Sequence, residues 1–149
     1  MNPFLMSRRQ LLADWKKFRN DLTALTEPEQ LASVANYWAK APVKTMAYDP
    51  EALDTYPTPW EMMDENDWCR NSVAVGMDFT LRLAGWSPDR LRIKMMRDYD
   101  ISDQKLVVEI DGQTLLNYDY GCAVAIPKTR FDILQTWRFS GKHYEKVGG

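Results

Sequence analysis

An α+β fold is predicted from three observations. Helical periodicity is confined to the first 84 residues, strand-like runs occupy the remainder, and an Asp-Gly hairpin signal joins two of those runs. With 149 residues, 45% of them hydrophobic and 27% charged, the chain is expected to close one core as a single domain over 1–149.

Leu11, Leu12, Trp15, Phe18 and Leu22 fall at helical spacing after Ser7, a natural N-cap, so residues 8–24 are predicted as an amphipathic helix. Thr26-Glu27-Pro28-Glu29 has the form of a capping box with proline in the first turn. Leu31, Val34, Ala35 and Trp38 continue that second helix on one face until it stops before Pro42. Residues 42–67 read as a long loop rich in proline and acids (Asp49, Glu51, Asp54, Glu61, Asp64, Glu65, Asp67), with Trp60 and Met62 pinning it to the core. A third helix is expected over 68–84, with Val73, Met77, Leu81 and Ala84 on one side and Gly85 and Pro88 as its stop, which sets Cys69 in its first turn. Strands are expected over 91–97, 105–110 and 113–120, with Asp111-Gly112 as a two-residue turn, and a further apolar run covers 131–139. A strict two-residue turn pairs Ile110 with Gln113, Leu106 with Asn117 and Lys105 with Tyr118, which places Gln104 on the face of Asn117 and turns Lys105 away.

Cys69 and Cys122 are too few for a disulfide framework and lack the spacing of a zinc site, which suits a reducing compartment. The N-terminus puts apolar residues first and charges second, the reverse of a secretory signal, and no run approaches the ~20 apolar residues of a membrane span. The expectation is a protein made and kept in the cytoplasm, without membrane contact. Net charge is −2 but uneven: residues 1–24 and 128–149 each carry +3, and residues 25–127 carry −8. Basic ends around an acidic body suit contacts with another copy or another protein, and a solvated surface accounts for them equally. Nucleic acid is not an expected partner, because the basic residues form no stripe with interleaved aromatics.

A cysteine at a helix N-terminus gains from the positive end of the helix dipole, which favours the thiolate of a nucleophile. Its alternative role is that of a small apolar side chain packed under the preceding loop.

Tyr56-Pro-Thr-Pro-Trp-Glu61, Asp67-Trp-Cys-Arg-Asn-Ser72, Leu81-Arg-Leu-Ala-Gly85 and Asp89-Arg-Leu-Arg-Ile93 follow one another in an order that resembles the bacterial transglutaminase-like cysteine proteinases. Lys105-Leu-Val-Val, Leu115-Leu-Asn117, Pro127-x-x-Arg130-x-Asp132 and Trp137-Arg-Phe-Ser-Gly141 extend the resemblance, which spans residues 29–142. It implies a transglutaminase-like (papain-like) fold in which N-terminal helices and a cysteine-bearing helix pack on a small antiparallel sheet. Residues 26–142 would form that core, 1–25 a helical extension and 143–149 a tail.

The family's machinery is a Cys, His and Asp set, in which imidazole takes the thiol proton and the acid orients it. Cys69 matches the nucleophile, the histidine position falls on Lys105 and the aspartate position on Asn117, while the hairpin register puts Gln104 on the face of Asn117; neither Lys105 nor Gln104 supplies an imidazole. The acids that flank the cysteine in the family, associated with calcium in some members, are Trp68, Arg70 and Asn71 here, so no metal or other cofactor is expected. The sole histidine, His143, lies in a charged C-terminal stretch.

The expected function is that of a catalytically inactive domain used as a structural or protein-interaction module. Its setting is expected to be the virion of a tailed bacteriophage, in the neck, tail or head, with virion proteins or copies of itself as partners. Trp60, Trp68 and Tyr118 are the candidates for the contact surface, as a permanent interface or as a peptide groove. The alternative is an active thiol hydrolase or transglutaminase with Cys69 as nucleophile and His143 or Lys105 as its partner.

Overall fold

A computed structural model describes residues 2–44, 52–99, 103–128 and 130–147. Four helices, α1 (Arg8–Leu22), α2 (Glu27–Trp38), α3 (Pro59–Glu65) and α4 (Ser72–Leu83), lie on one face of a six-stranded antiparallel sheet. The strands are β1 (Leu91–Asp98), β2 (Asp103–Ile110), β3 (Thr114–Leu116), β4 (Ala123–Ala125), β5 (Phe131–Phe139) and β6 (Tyr144–Lys146), in the order β4-β3-β2-β1-β5-β6.

The helix starts follow local chemistry. Ser7 with Gln10, Thr26 with Glu29 and Thr58 with Glu61 each form a reciprocal capping box, and proline occupies the first turn of α2 and of α3. The third box corrects the loop expected over 42–67, because Thr58-Pro-Trp-Glu61 opens a real helix. Residues 45–51 of that stretch, with Asp49 and Glu51, lie outside the described residues. Helix α4 begins at Ser72, so Cys69 sits in the turn before the helix and not in its first turn. It ends at Gly85, whose φ of 107° suits only glycine.

Leu11, Trp15 and Leu22 of α1 are buried in the same core as α2, α4 and the inner sheet face, so the expected extension is an integral layer. Thr80 of α4 sits at the core's centre: its hydroxyl accepts the indole N–H of Trp15 at 3.0 Å and of Trp38 at 2.9 Å, and donates to the Gly76 carbonyl at 2.7 Å. Trp38 lies directly over Gly76, where a Cβ would stand 2.5 Å from the ring.

Leu91, Ile93 and Met95 of β1 pair with Ile110, Val108 and Leu106 of β2 and face the helices. Met96, Val107 and Leu115 form a small second cluster on the outer face, joined by Tyr118. The Asp111-Gly112 turn is present, with φ of 54° and 68° and Gln113 N–H donating to Ile110 O at 2.9 Å. Pairing nevertheless resumes at Ile110 with Thr114, so Gln113 is an extra residue and the register differs by one from that of a strict two-residue turn. Strand β3 stops at Leu116 because Asn117 takes a left-handed backbone with φ of 68°. The 143–149 tail begins as a strand, β6, tied to α4 through Tyr144, whose hydroxyl donates to the Asp78 carboxylate. Arg82 holds the same carboxylate at 2.9 Å and stacks on Phe139. Burial pushes the Asp78 carboxyl up, against the opposing pull of Arg82.

Candidate functional site

The turn ahead of α4 is held by cross-bonds between two side chains. Cys69 N–H donates to Ser72 Oγ at 3.0 Å, Ser72 N–H donates to Cys69 Sγ at 3.2 Å, and Ser72 Oγ donates back to the Cys69 carbonyl at 3.1 Å. The reciprocal pattern has the form of a capping box with sulfur in the place of a hydroxyl, set in the turn ahead of α4, whose own N-cap residue Asn71 makes no side-chain cap bond. Lys44 N–H donates to Trp68 O at 2.9 Å and fixes the turn from the other side. The thiol is buried, with Cys69 2% exposed.

Asn117 closes the site from the sheet. Its amide donates to Arg70 O and to Leu106 O, both at 2.8 Å, while its Oδ1 accepts from Arg70 Nε at 3.4 Å. The left-handed backbone at Asn117 is what aims this side chain at the cysteine turn after the bulge has shifted the strand. Arg70 then lies over the Tyr120 ring, 4.4 Å from its centroid. The bonding role of Arg70 and the residue Ser72 are what motif reading passes over. The Cys-x-x-Ser spacing was a visible signal for the second; the first depends on a strand ending far away in sequence.

Lys105 does not join this group. It points to the outer face, where its ammonium donates to Tyr118 O at 2.9 Å and lies 4.6 Å from the Tyr118 ring centre. Gln104 pairs with Arg97 on the helix-facing side, at the exposed end of β2. His143 sits in the turn between β5 and β6. Antiparallel pairing puts the end of β5 beside the start of β1 and Gln104 beside the end of β1, so His143 and Gln104 are at opposite ends of the sheet. Asn117 is therefore brought to Arg70, the residue after Cys69, and no imidazole is among the described hydrogen-bond partners of the thiol.

The three aromatic candidates do not converge. Trp60 is 41% exposed on α3, where it packs its edge on Trp15 and Phe79. Tyr118 lies on the outer sheet face with its hydroxyl on Asp98. Trp68 is 1% exposed, with its indole N–H on Asn66 Oδ1 at 2.9 Å and its ring against Phe4 and Trp38, so it is core and lines no groove. The flanking positions Arg70 and Asn71 add no carboxylate, and among the described residues no group of three or more His, Cys, Asp or Glu is placed to hold a metal ion. No described helix is long and apolar enough to cross a membrane.

Helices on one face of an antiparallel sheet, with a cysteine in the turn ahead of α4 and Asn117 of the sheet bonded to the following residue, form a transglutaminase-like, papain-like fold. Among solved structures the chain is similar to LapG of Legionella pneumophila. The calcium-bound form matches with a TM-score of 0.75 and 16% identity over 95% of this chain and 81% of that one. A second LapG structure gives 0.72 and 17% over 92% and 76%, and the EGTA-treated form 0.73 and 16% over 95% and 78%. The sequence matches no family model and no curated protein. At this identity the likeness establishes the fold.

Proposed function

We propose that this chain is a catalytically inactive transglutaminase-like domain that works as a protein-interaction module. The observation that carries this reading is the closed state of Cys69: its sulfur accepts the Ser72 N–H in the turn ahead of α4, it is 2% exposed, and the nearby sheet side chain, Asn117, is an amide held by the carbonyls of Arg70 and Leu106. An amide can orient a turn but cannot hold an imidazolium by charge, and among the described residues no base is hydrogen-bonded to the thiol. We further propose that the partners are protein subunits, virion proteins or copies of itself, and that the chain is made in the cytoplasm and incorporated into a tailed-phage particle as a neck, tail or head component.

Cys122 is exposed and serves as an internal control for the test. Brief iodoacetamide treatment of the native protein near neutral pH, read by peptide mass mapping, is expected to label Cys122 and spare Cys69. Labelling of Cys69 first, with loss of a peptidase or amidase activity, would sink the inactive reading. The virion setting is tested by particle purification, where a fixed copy number of this chain is expected.

One observation favours the alternative, a thiol hydrolase. The Ser72 N–H that donates to Sγ at the head of α4 would also favour a thiolate. The same alkylation experiment separates the two.

A further inference from the structure

The helices cover one face of the sheet; on the other, a small cluster around Met96, Val107 and Leu115 is buried under Tyr118 and Phe131, and the end near β5 and β6 stays open. On that outer face a groove of about 650 Å³ is lined by Arg92, Lys94, Glu109, Ile133, Leu134 and Lys146, among others. The pairing of β1 with β5 steps from Met95–Gln135 to Met96–Ile133, so Leu134 is an inserted bulge residue. In a regular strand, consecutive residues point to opposite faces; here Ile133 and Leu134 both remain open, at 41% and 43% exposure. Lys94 is neutralised by Glu109 at 2.8 Å, whereas Arg92 donates to backbone carbonyls only. Arg92 and Lys146 thus leave the groove with two positive charges that have no carboxylate partner among the described residues.

The opposite side of the molecule carries the complementary feature. Helix α3 buries Met62 and Met63 and exposes Trp60, Glu61, Asp64 and Glu65. Asp64 is paired with Arg8 at 3.1 Å, while Glu61 and Glu65 have no basic partner among the described residues. An exposed indole with two unbalanced negative charges matches a mixed groove, with Ile133 and Leu134 as its apolar part and two unbalanced positive charges, in both sign and character. The two surfaces belong to opposite layers, so they cannot meet within one copy. Twofold pairing of groove with groove, or of α3 with α3, would set like charges face to face.

We infer that the chain assembles head to tail with copies of itself, the Trp60 face of α3 in one copy seating on the Ile133–Leu134 groove of the next. This rests on the reading of the domain as an interaction module and names its partner as a second copy. The interface is heterologous, so it builds rings or filaments and not closed dimers.

Light scattering coupled to size exclusion tests this on the full chain. The mass is expected to rise above 17.4 kDa with concentration and to fall back with added salt. Two variants, Ile133→Lys with Leu134→Lys and Trp60→Ser with Glu65→Lys, are each expected to run as monomers with unchanged circular dichroism. Mixed in equal amounts they retain one intact groove and one intact α3 face between them, so they are expected to give a two-chain species that grows no further. A wild-type chain that stays monomeric at every concentration in low salt, a mixture that does not pair, or either variant still assembling would overturn the proposal. If the groove variant does not fold, Leu134→Ser takes its place with the same expectation. A monomeric chain with a protected Cys69 refutes this inference alone; a fast-reacting Cys69 refutes the inactive reading and leaves the assembly result standing.

Discussion

The side-chain amide of Asn117 donates to the Arg70 carbonyl at 2.8 Å and so ties the end of β3 to the turn that precedes α4, 47 residues earlier. A second donation, to Leu106 O, makes Asn117 the bracket between the sheet and the cysteine turn. Replacing Asn117 by Ala removes both bonds, strands buried carbonyls and leaves a φ of 68° to a residue that disfavours it. The expected loss is about 2–4 kcal/mol in urea unfolding, with faster alkylation of Cys69 as the turn loosens.

The cap reading of Cys69 separates two conservative variants. Cys69→Ser keeps an acceptor for the Ser72 N–H and is expected to leave the melting temperature close to wild type. Cys69→Ala loses that acceptor and is expected to cost about 1 kcal/mol, the usual net value of one hydrogen bond. Thermal melts of the three proteins side by side give the answer, and equal melting of Ser and Ala variants would contradict a capping role.

Thr80 is the shared acceptor of two buried indoles. Thr80→Val keeps the shape and removes the hydroxyl, leaving the Trp15 and Trp38 N–H groups without their partner. A cost of about 2–4 kcal/mol is expected from two orphaned donors, measured by chemical denaturation followed by tryptophan fluorescence.

Arg90 joins the start of α2 to the β2–β3 turn. Its guanidinium reaches Glu27 at 2.7 and 2.9 Å and Asp111 at 2.7 and 3.0 Å, over the face of Trp86. These bonds hold both carboxyls below their ordinary values. For an acid with a lowered folded-state value, the contribution is complete above the unfolded value and disappears as pH falls through the folded one. The gap in melting temperature between wild type and Arg90→Gln is therefore expected to be present at neutral pH and to narrow below about pH 4, where both carboxyls take up protons. A gap that stays constant down to pH 3 would assign the arginine's effect to its stacking on Trp86.

Much of the scaffold could be read from local chemistry. Ser7 and Thr26 announce their helices, Gly85 marks the end of α4, and Asp111-Gly112 gives its turn. Thr58-Pro-Trp-Glu61 carried the same signal as Thr26-Glu-Pro-Glu29, but the surrounding prolines and acids masked a helix of only seven residues. The short strands β4 and β6 have too few residues for alternation to show. The insertions at Gln113 and Leu134 are beyond sequence reading, because a bulge answers to the twist of the neighbouring strands and not to the residue inserted. Trp68 looks like a binding residue on composition, yet its one polar atom is satisfied locally by Asn66, which lets the ring be buried. At the site, Cys69 and Asn117 could be found as a pair, whereas the part of Arg70 follows from a backbone conformation 47 residues away.

The order β4-β3-β2-β1-β5-β6 also imposes a sequence in time. Strand β1 meets β2 through a short connection, but its other neighbour, β5, begins 33 residues after β1 ends. A chain emerging from the ribosome can form its helices and the β1–β2–β3 meander first, and must then hold one flank of β1 bare until Phe131–Phe139 arrives. Slow translation between 99 and 131 would prolong that exposed interval, so the yield of soluble protein is expected to depend on how soon Phe131–Phe139 follows.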